Sequence, residues 1–445
     1  MDRFVSKTGY NSHMLDIQFI RDNADLVAEK SQQKGYKVDV RRLLELDTER
    51  RTRLTQIEEL RQRRNELSAA TKGQRPSDEQ LEIGRQLKED LTQRETDLKT
   101  IDEEYEQLLR AVPNMPLDDV PVGASEDENI VAKKVGEPTT FDFPAKNHWE
   151  ILEPADMLDK ERAAKIAGSR FAYLKGDLVR LQLALMQYTI QVLGDEKLIQ
   201  KLIEENGLHI SSKPFTPILP PALLRTEPYR ASARLNAEEV TYKIEQDDLW
   251  LNASAEHTLC TMYWNEILPE DMFPIRYIGY GTSFRREAGT YGKDTEGMIR
   301  MHQFDKLEME VFSTPETGLE EHKLQCAIQE YLVSQLNLPY QVLQKCTFDI
   351  GKPNARGIDI ETWFPGQGKY RETHTADYMT DYQARDLKIR VKRTTGENDL
   401  VHTNDATAFA MSRILAAIVE NNQTATGRIK IPTVLLPFMG GTSEI

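Results

Sequence analysis

Cysteine is scarce: Cys260, Cys326 and Cys346 are the only three in 445 residues, far apart and in no spacing that a zinc site or a disulfide framework needs. No apolar run approaches the ~20 residues that cross a bilayer, and the first residues lack the apolar stretch of a signal peptide. These absences argue against a stapled secreted scaffold and against a membrane partner, and make the cytoplasm the expected compartment. No internal repeat is present, and the glycines do not fall into a dinucleotide-binding or P-loop pattern. Nucleotide binding would therefore need another architecture. Positive charge is in deficit, with 57 Lys and Arg against 72 Asp and Glu, a net charge of -15. Taken over the whole chain, that balance argues against a nucleic-acid partner, because affinity for phosphates comes from lysine and arginine.

The deficit is unevenly spread. Arg41, Arg42, Arg50, Arg51, Arg53, Arg61, Arg63, Arg64, Lys72 and Arg75 crowd one stretch, whereas the region from Asp78 to Glu106 is mainly acidic. A chain of this length exceeds one ordinary core, so two domains are expected. From about Asp39 to Ser68, and again from Ser77 to Arg110, the chain is rich in Glu, Arg, Gln and Leu with no internal proline, which predicts two long helices. In the second, Leu87, Leu91, Arg94, Leu98, Ile101, Tyr105 and Leu108 form a heptad seam interrupted at Arg94. The first carries a looser seam interrupted at Arg50 and Arg64. The turn from Thr71 to Ser77 places Ser77 to cap the second helix, so the pair reads as an antiparallel hairpin. On its pattern alone this hairpin is a dimerisation coiled coil or a scaffold. Proline and glycine density marks 113–147 as a linker, and His148 opens the second domain. There, amphipathic helices are expected over Leu178–Glu205, Thr317–Leu336 and Ala406–Asn422, between short strand runs. The class is α+β, an antiparallel sheet flanked by helices.

Residues 284–312 carry the densest chemical signal. If Gly279–Glu287 and His302–Phe312 are extended, a period of 2 puts Ser283, Arg285 and Glu287 on one face of the first. It puts Phe304, Lys306 and Glu308 on one face of the second, with Leu307, Met309 and Val311 behind. A long loop with Gly289, Gly292 and Gly297 joins them, of the kind that closes over a ligand. The bland alternative is a polar outer sheet face with no ligand.

The run Arg285-x-Glu-Ala-Gly-x-x-Gly-x-Asp-x-x-Gly-x-x-Arg300, followed by His302-Gln-Phe-Asp-Lys-x-Glu-Met, resembles the second signature motif of class II seryl-tRNA synthetases. The resemblance begins at Met14 and runs to about Gly441, which leaves residues 1–13 as an extension or an added tail. It implies an N-terminal helical arm over 14–112 that grips the long variable arm of tRNA(Ser), largely by RNA shape. It implies a catalytic domain over 148–445, in a homodimer whose interface includes Pro220 and Pro221. ATP and Mg²⁺ would be the cofactors and L-serine the amino acid, with tRNA(Sec) left open as a second acceptor.

The same resemblance implies roles residue by residue. Arg285 and Arg413 would be the catalytic arginines, Arg285 on the α-phosphate and Arg413 on the far face of adenine and the γ-phosphate. Arg286, Glu287, Phe304, Glu372, Thr373, His374 and Thr375 would complete the ATP site, with Glu287 reading the adenine amino group and Phe304 stacking on the base. Glu372 and Thr375 would hold Mg²⁺. Ser254, Ala255, Glu256, Glu308 and Thr407, with Arg285, would receive serine. Departures from the family pattern gather near that last group. Ser254 replaces a threonine, and Asp405-Ala-Thr-Ala408 stands where the family has Asn-Gly-Ser-Gly. Arg230-Ala-Ser-Ala-Arg-Leu-Asn-Ala-Glu238 stands in place of Gly-Thr-Gly-Gln-Leu-Pro-Lys-Phe, and Thr373-His-Thr-Ala-Asp377 in place of Ser-Ser-Cys-Ser-Asn. One methyl is lost at Ser254 and one gained at Thr407, so pocket volume is expected to be conserved. Two rivals stay open: a paralogue that activates another small amino acid or charges another acceptor, and a non-catalytic tRNA-binding or coiled-coil protein.

Overall fold

Two long helices and one eight-stranded sheet organise the chain, in a computed structural model that describes residues 15–73, 75–235, 240–287 and 296–445. Backbone contacts divide it between Met115 and Pro116. In the first unit, α1 (Val40–Ala70) and α2 (Asp78–Ala111) lie side by side as the expected hairpin. Asp39 caps α1 by accepting the Arg42 amide, and Ser77 forms a capping box with Gln80 on α2. The seam is buried at Leu43, Leu46, Ile57, Leu91, Tyr105 and Leu109, so at its base it passes through Leu109, one residue beyond the expected Leu108. Its polar interruptions are used: the Arg50 guanidinium lies over the Tyr105 ring and bonds Asp102, and Arg94 donates to Gln56.

The second unit is built on strands β1 (Ile130–Val135), β2 (Thr216–Ile218), β3 (Ile275–Phe284), β4 (Gln303–Ser313), β5 (Tyr340–Gln344), β6 (Arg356–Phe364), β7 (Lys369–Thr380) and β8 (His402–Ala410). Their order in the sheet is β1-β5-β6-β7-β8-β4-β3-β2, antiparallel throughout except where β2 joins β3. The edge strand β1 comes from the proline-rich stretch that composition reads as a linker. The 178–205 region is two helices, α3 (Asp177–Leu193) and α4 (Glu196–Glu205), because Gly194 ends the first and the Asp195 carboxylate caps the second. Residues 402–410 are strand β8, so the expected helix from Ala406 starts only at Met411, as α7 (Met411–Asn421).

α6 (Gly318–Gln335) and α7 pack on one face of the sheet with Leu307, Met309 and Val311, all fully buried, as the period of 2 predicts. The opposite face carries α5 (Ala255–Leu259), which comes close because β3 presents glycine there. A Cβ at Gly279 would stand 2.7 Å from Leu259 Cδ1. That approach brings Glu256 over the polar residues of β4.

Candidate active site

β3 and β4 pair in the register Phe304↔Ser283, Lys306↔Gly281 and Glu308↔Gly279, so the polar faces expected for the two strands are one face. β3 ends at Phe284, short of the expected Glu287. The Arg285 amide still donates to His302 O at 2.9 Å, but Glu287 adopts φ 52°, in the left-handed region. That turn directs its carboxylate to Arg300 Nη1 at 2.8 Å. Residues 288–295, with Gly289 and Gly292 of the joining loop, lie outside the described residues. The loop's far end is anchored at Met298, whose amide donates to His148 Nε2 at 3.1 Å, while His148 Nδ1 bonds Glu420 on α7 at 2.8 Å.

Two β-bulges shape the centre of this face. Thr373 has no partner between the pairs Ile360↔His374 and Glu361↔Glu372, and Ala408 is extra between Leu307↔Phe409 and Glu308↔Thr407. An extra residue inverts the alternation. Glu372 and Thr375, which plain alternation would put on opposite faces, therefore line one cavity, and so do Thr407 and Ala410. Gln329 of α6 donates to both Thr375 O (2.7 Å) and Thr407 O (2.8 Å), pinning β7 and β8 beside the bulges.

The cavity collects Arg285, Glu287, Phe304, Glu372, Thr373, Thr375, Thr407 and Arg413 from the segment that follows β3, from three strands and from one helix, with Arg300 and Lys306 beside them. The Arg285 guanidinium sits 5.2 Å from the centre of the Phe304 ring and donates through Nε to Ala253 O at 3.0 Å. Arg413 Nη1 bonds Glu372 Oε1 at 2.7 Å and Glu372 O at 3.1 Å. Against the desolvation around it, Arg413 and Lys345 hold the Glu372 carboxyl below the usual carboxylate range. Two expected ATP residues lie elsewhere. Arg286 follows Arg285 on the other side of the chain, its guanidinium 5.7 Å from the Tyr242 ring centre. His374 is buried edge-on to Phe409, its Nδ1 2.8 Å from Thr373 Oγ1, and burial lowers its pKa to about 3.

At the Lys306 edge of this cavity three of the residues expected for serine, Ser254, Glu256 and Glu308, meet around an ammonium that the resemblance did not assign, while Arg285 and Thr407 line the cavity itself. Lys306 Nζ lies 2.6 Å from Glu308 Oε2, 3.0 Å from Ser254 Oγ and 3.3 Å from Glu256 Oε2, and Ser254 Oγ donates to Glu256 at 2.9 Å. Ala255 contributes packing: it lies under Gly281, where an added Cβ would stand 3.4 Å from its own. Burial lifts the Glu308 carboxyl to about 8 although Lys306 opposes it. Burial also works against Glu256, but there Lys306 and Arg234 outweigh it and hold the carboxyl well below its ordinary value. Carboxylate oxygens of Glu256, Glu308 and Asp405 lie within 4.8 Å of one another. Lys306 was visible on the charged face of β4, whereas Arg234 and Asp405 were visible only as departures from a pattern.

An antiparallel sheet with arginines from a strand end and a helix facing a shared cavity is the frame of a class II aminoacyl-tRNA synthetase. The family described as tRNA synthetase class II core domain (G, H, P, S and T) matches residues 241–422, and the Seryl-tRNA synthetase N-terminal domain matches 14–116. A serine–tRNA ligase from Exiguobacterium sibiricum is 36% identical over 97% of this chain and 100% of its own length. One from Symbiobacterium thermophilum is 38% identical over 96% of this chain and 98% of its own. The crystal structure of seryl-tRNA synthetase from Pyrococcus horikoshii complexed with ATP superposes with a TM-score of 0.83 at 36% identity, covering 97% of this chain and 99% of that one. The chain belongs to the seryl-tRNA synthetase family.

Proposed function

We propose that the protein ligates L-serine to tRNA(Ser) through a seryl-adenylate, and that the cavity joining Arg285, Phe304, Glu372 and Arg413 holds the ATP. That meeting of four residues from separate elements is the observation that carries the reading. ATP binding is supported by the nucleotide in the Pyrococcus horikoshii relative. In the first step the serine carboxylate attacks the α-phosphorus, the bond to the β-phosphate oxygen breaks, and pyrophosphate leaves. Arg285, held by Ala253 O, directs its remaining donors at the α-phosphate and neutralises charge there as the transition state forms. Phe304 and Arg413 enclose the adenine, and Glu287, turned in by its backbone, reads the base edge. In the second step the tRNA terminal ribose hydroxyl takes the seryl group and AMP leaves. No protein nucleophile is required, and positioning supplies much of the rate.

Glu372 and Thr375 would hold Mg²⁺. The donor set suits a hard cation: an ionised carboxylate and a hydroxyl on one wall, and no histidine or cysteine among the described residues that line the cavity. When bound, the ion supplies further charge neutralisation on the phosphates. Glu308, Glu256, Ser254 and Thr407 would receive the ammonium and hydroxyl of serine. The hairpin of α1 and α2 would bind the tRNA, and the chain would act as a homodimer in the cytoplasm. Among the described residues no helix is long and apolar enough to cross a membrane.

ATP–pyrophosphate exchange with serine, threonine, alanine and glycine, followed by charging of purified tRNA(Ser) and tRNA(Sec), tests the reading. Serine-dependent exchange and serylated tRNA(Ser) are expected. Exchange that prefers another amino acid favours a paralogue, and absence of exchange with any favours a binding protein.

A further inference from the structure

Two segments that depart from the family pattern meet in one buried ion pair. Arg234, in the loop after the short helix Thr226–Ala231, directs Nη2 onto Asp405 Oδ2 of β8 and holds Nη1 3.6 Å from Glu256 Oε1. The side chains are 13% and 2% exposed. The arginine is delivered by a well-bonded turn: the Arg234 amide donates to Ser232 Oγ, and Gln383 donates to Ser232 O at 2.9 Å. Asp405 needs a partner, because Asp377 and Glu310 are its direct cross-strand neighbours on β7 and β4. Lys345 lies 3.2 Å from Asp377, while Glu310 is fully buried with both oxygens unpartnered, a setting in which a carboxyl keeps its proton.

We propose that Arg234 and Asp405 act as one specificity-determining pair that sets the net charge of the amino-acid pocket at minus one, so that it takes one substrate ammonium and rejects a second. The inference rests on the reading of this pocket as the serine site. Burial pushes the Asp405 carboxyl well above its ordinary value, and the Arg234 guanidinium bonded to it opposes that. Once Glu308 and Asp405 are both ionised, Glu256, Glu308 and Asp405 contribute three negative charges, and Lys306 and Arg234 two positive ones. The neighbouring His257 is neutral, its ring buried and bonded to Tyr229 through Nδ1. One substrate ammonium completes the balance. A diamino acid such as 2,3-diaminopropionate, the size of serine, brings in its doubly protonated form a second positive charge for which no ionised carboxylate is left. Removing Arg234 frees Asp405 to receive that charge, and removing Asp405 leaves a pocket with no net charge.

The test is ATP–pyrophosphate exchange by the full-length protein with serine and with 2,3-diaminopropionate, using Arg234→Gln, Asp405→Asn and the double variant. Arg234→Gln should lower the ratio of kcat/KM for serine over diaminopropionate at least about tenfold, and Asp405→Asn should raise the KM for serine by about as much. The double variant restores the charge of minus one and should return both readings to within about threefold of the parent protein. KM for ATP should stay within about twofold throughout, because neither Arg234 nor Asp405 lines the cavity that holds the Arg285, Phe304, Glu372 and Arg413 side chains. An unchanged ratio in Arg234→Gln, a double variant that carries the product of both single losses, or an ATP KM that moves with the serine KM overturns the pair. Should Arg234→Gln fail to fold, Arg234→Lys keeps the charge and must keep the parental ratio, and a shifted ratio there also overturns it. Lack of serine exchange by the parent protein would instead sink the serine reading itself.

Discussion

Glu372 and Thr375 are separated by an odd step along β7 and yet share a cavity wall, because Thr373 is the unpaired residue of a bulge between them. If these two oxygens hold the magnesium ion, weakening either donor should be corrected by more ion. Glu372→Gln and Thr375→Ala are each expected to raise the Mg²⁺ concentration for half-maximal pyrophosphate exchange about tenfold or more, with partial recovery at high Mg²⁺. A titration in which both variants saturate with the parental midpoint removes them from the metal site.

Sequence patterns reached far into this fold where a period was simple and stopped where one residue broke it. The cap at Ser77 follows from the turn residues before it, and the apolar set Leu307, Met309 and Val311 and the pairing of the polar faces of β3 and β4 follow from a local period of 2. The bulges at Thr373 and Ala408 leave no such trace, because an inserted residue looks like any other until its partner strand is known. The helix break at Gly194-Asp195 was legible in kind, a helix stop followed by a cap, but sits inside a continuous amphipathic stretch. Arg234 and Asp405 are far apart in the chain, and only the fold brings them together. The resemblance implies Arg286 and His374 at the ATP, whereas in the fold their side chains pack against Tyr242 and Phe409.

Arg285 is held at Nε by Ala253 O and lies over Phe304, leaving its terminal nitrogens to face the cavity. If it neutralises the α-phosphate only as the transition state forms, Arg285→Ala should lower kcat for exchange by about 10²- to 10³-fold. Arg285→Lys should recover little of this, since an ammonium cannot both donate to Ala253 O and present a planar fork to phosphate. Steady-state exchange kinetics decide it, and a variant that loses only ATP affinity would make Arg285 a ground-state contact.

Glu308 makes the stability of the empty protein depend on pH. Burial raises its carboxyl in the fold to about 8, from an ordinary value near 4.5. A group raised in the folded state favours folding below the unfolded pKa and loses that advantage as pH rises toward the folded one, by at most about 1.4 kcal/mol per pH unit. The Tm of the parent protein minus that of Glu308→Gln should therefore fall between about pH 4.5 and about pH 8. Serine should reverse the trend, since its ammonium favours the ionised carboxylate, and its thermal shift should grow over the same range. Parallel Tm curves for parent and variant would show that the Glu308 carboxyl does not titrate in this window.

The basic stretch of α1 is less available to RNA than its composition implies. Arg42, Arg50, Arg53 and Arg61 pair across the hairpin with Glu104, Asp102, Asp97 and Glu95, and Arg51 lies 3.5 Å from Asp47. Arg63, Arg64, Lys72 and Arg75, toward the tip, are exposed and make no ion pair among the described residues. Phosphate contacts should therefore concentrate at the tip, where no acid must be displaced. Replacing Arg64, Lys72 and Arg75 by glutamine is expected to weaken tRNA charging strongly, to lower the salt dependence of tRNA binding, and to leave serine-dependent exchange intact. Glutamine at Arg42, Arg50 and Arg61 should instead lower the Tm of the arm and change the salt slope little, because those charges already face acids. Should both triple variants lose the same salt slope, the whole length of α1 meets the RNA and the cross-hairpin pairs open when it binds. Removing 39–110 altogether should abolish charging and spare adenylate formation, and charging that survives the deletion would refute any role of the arm.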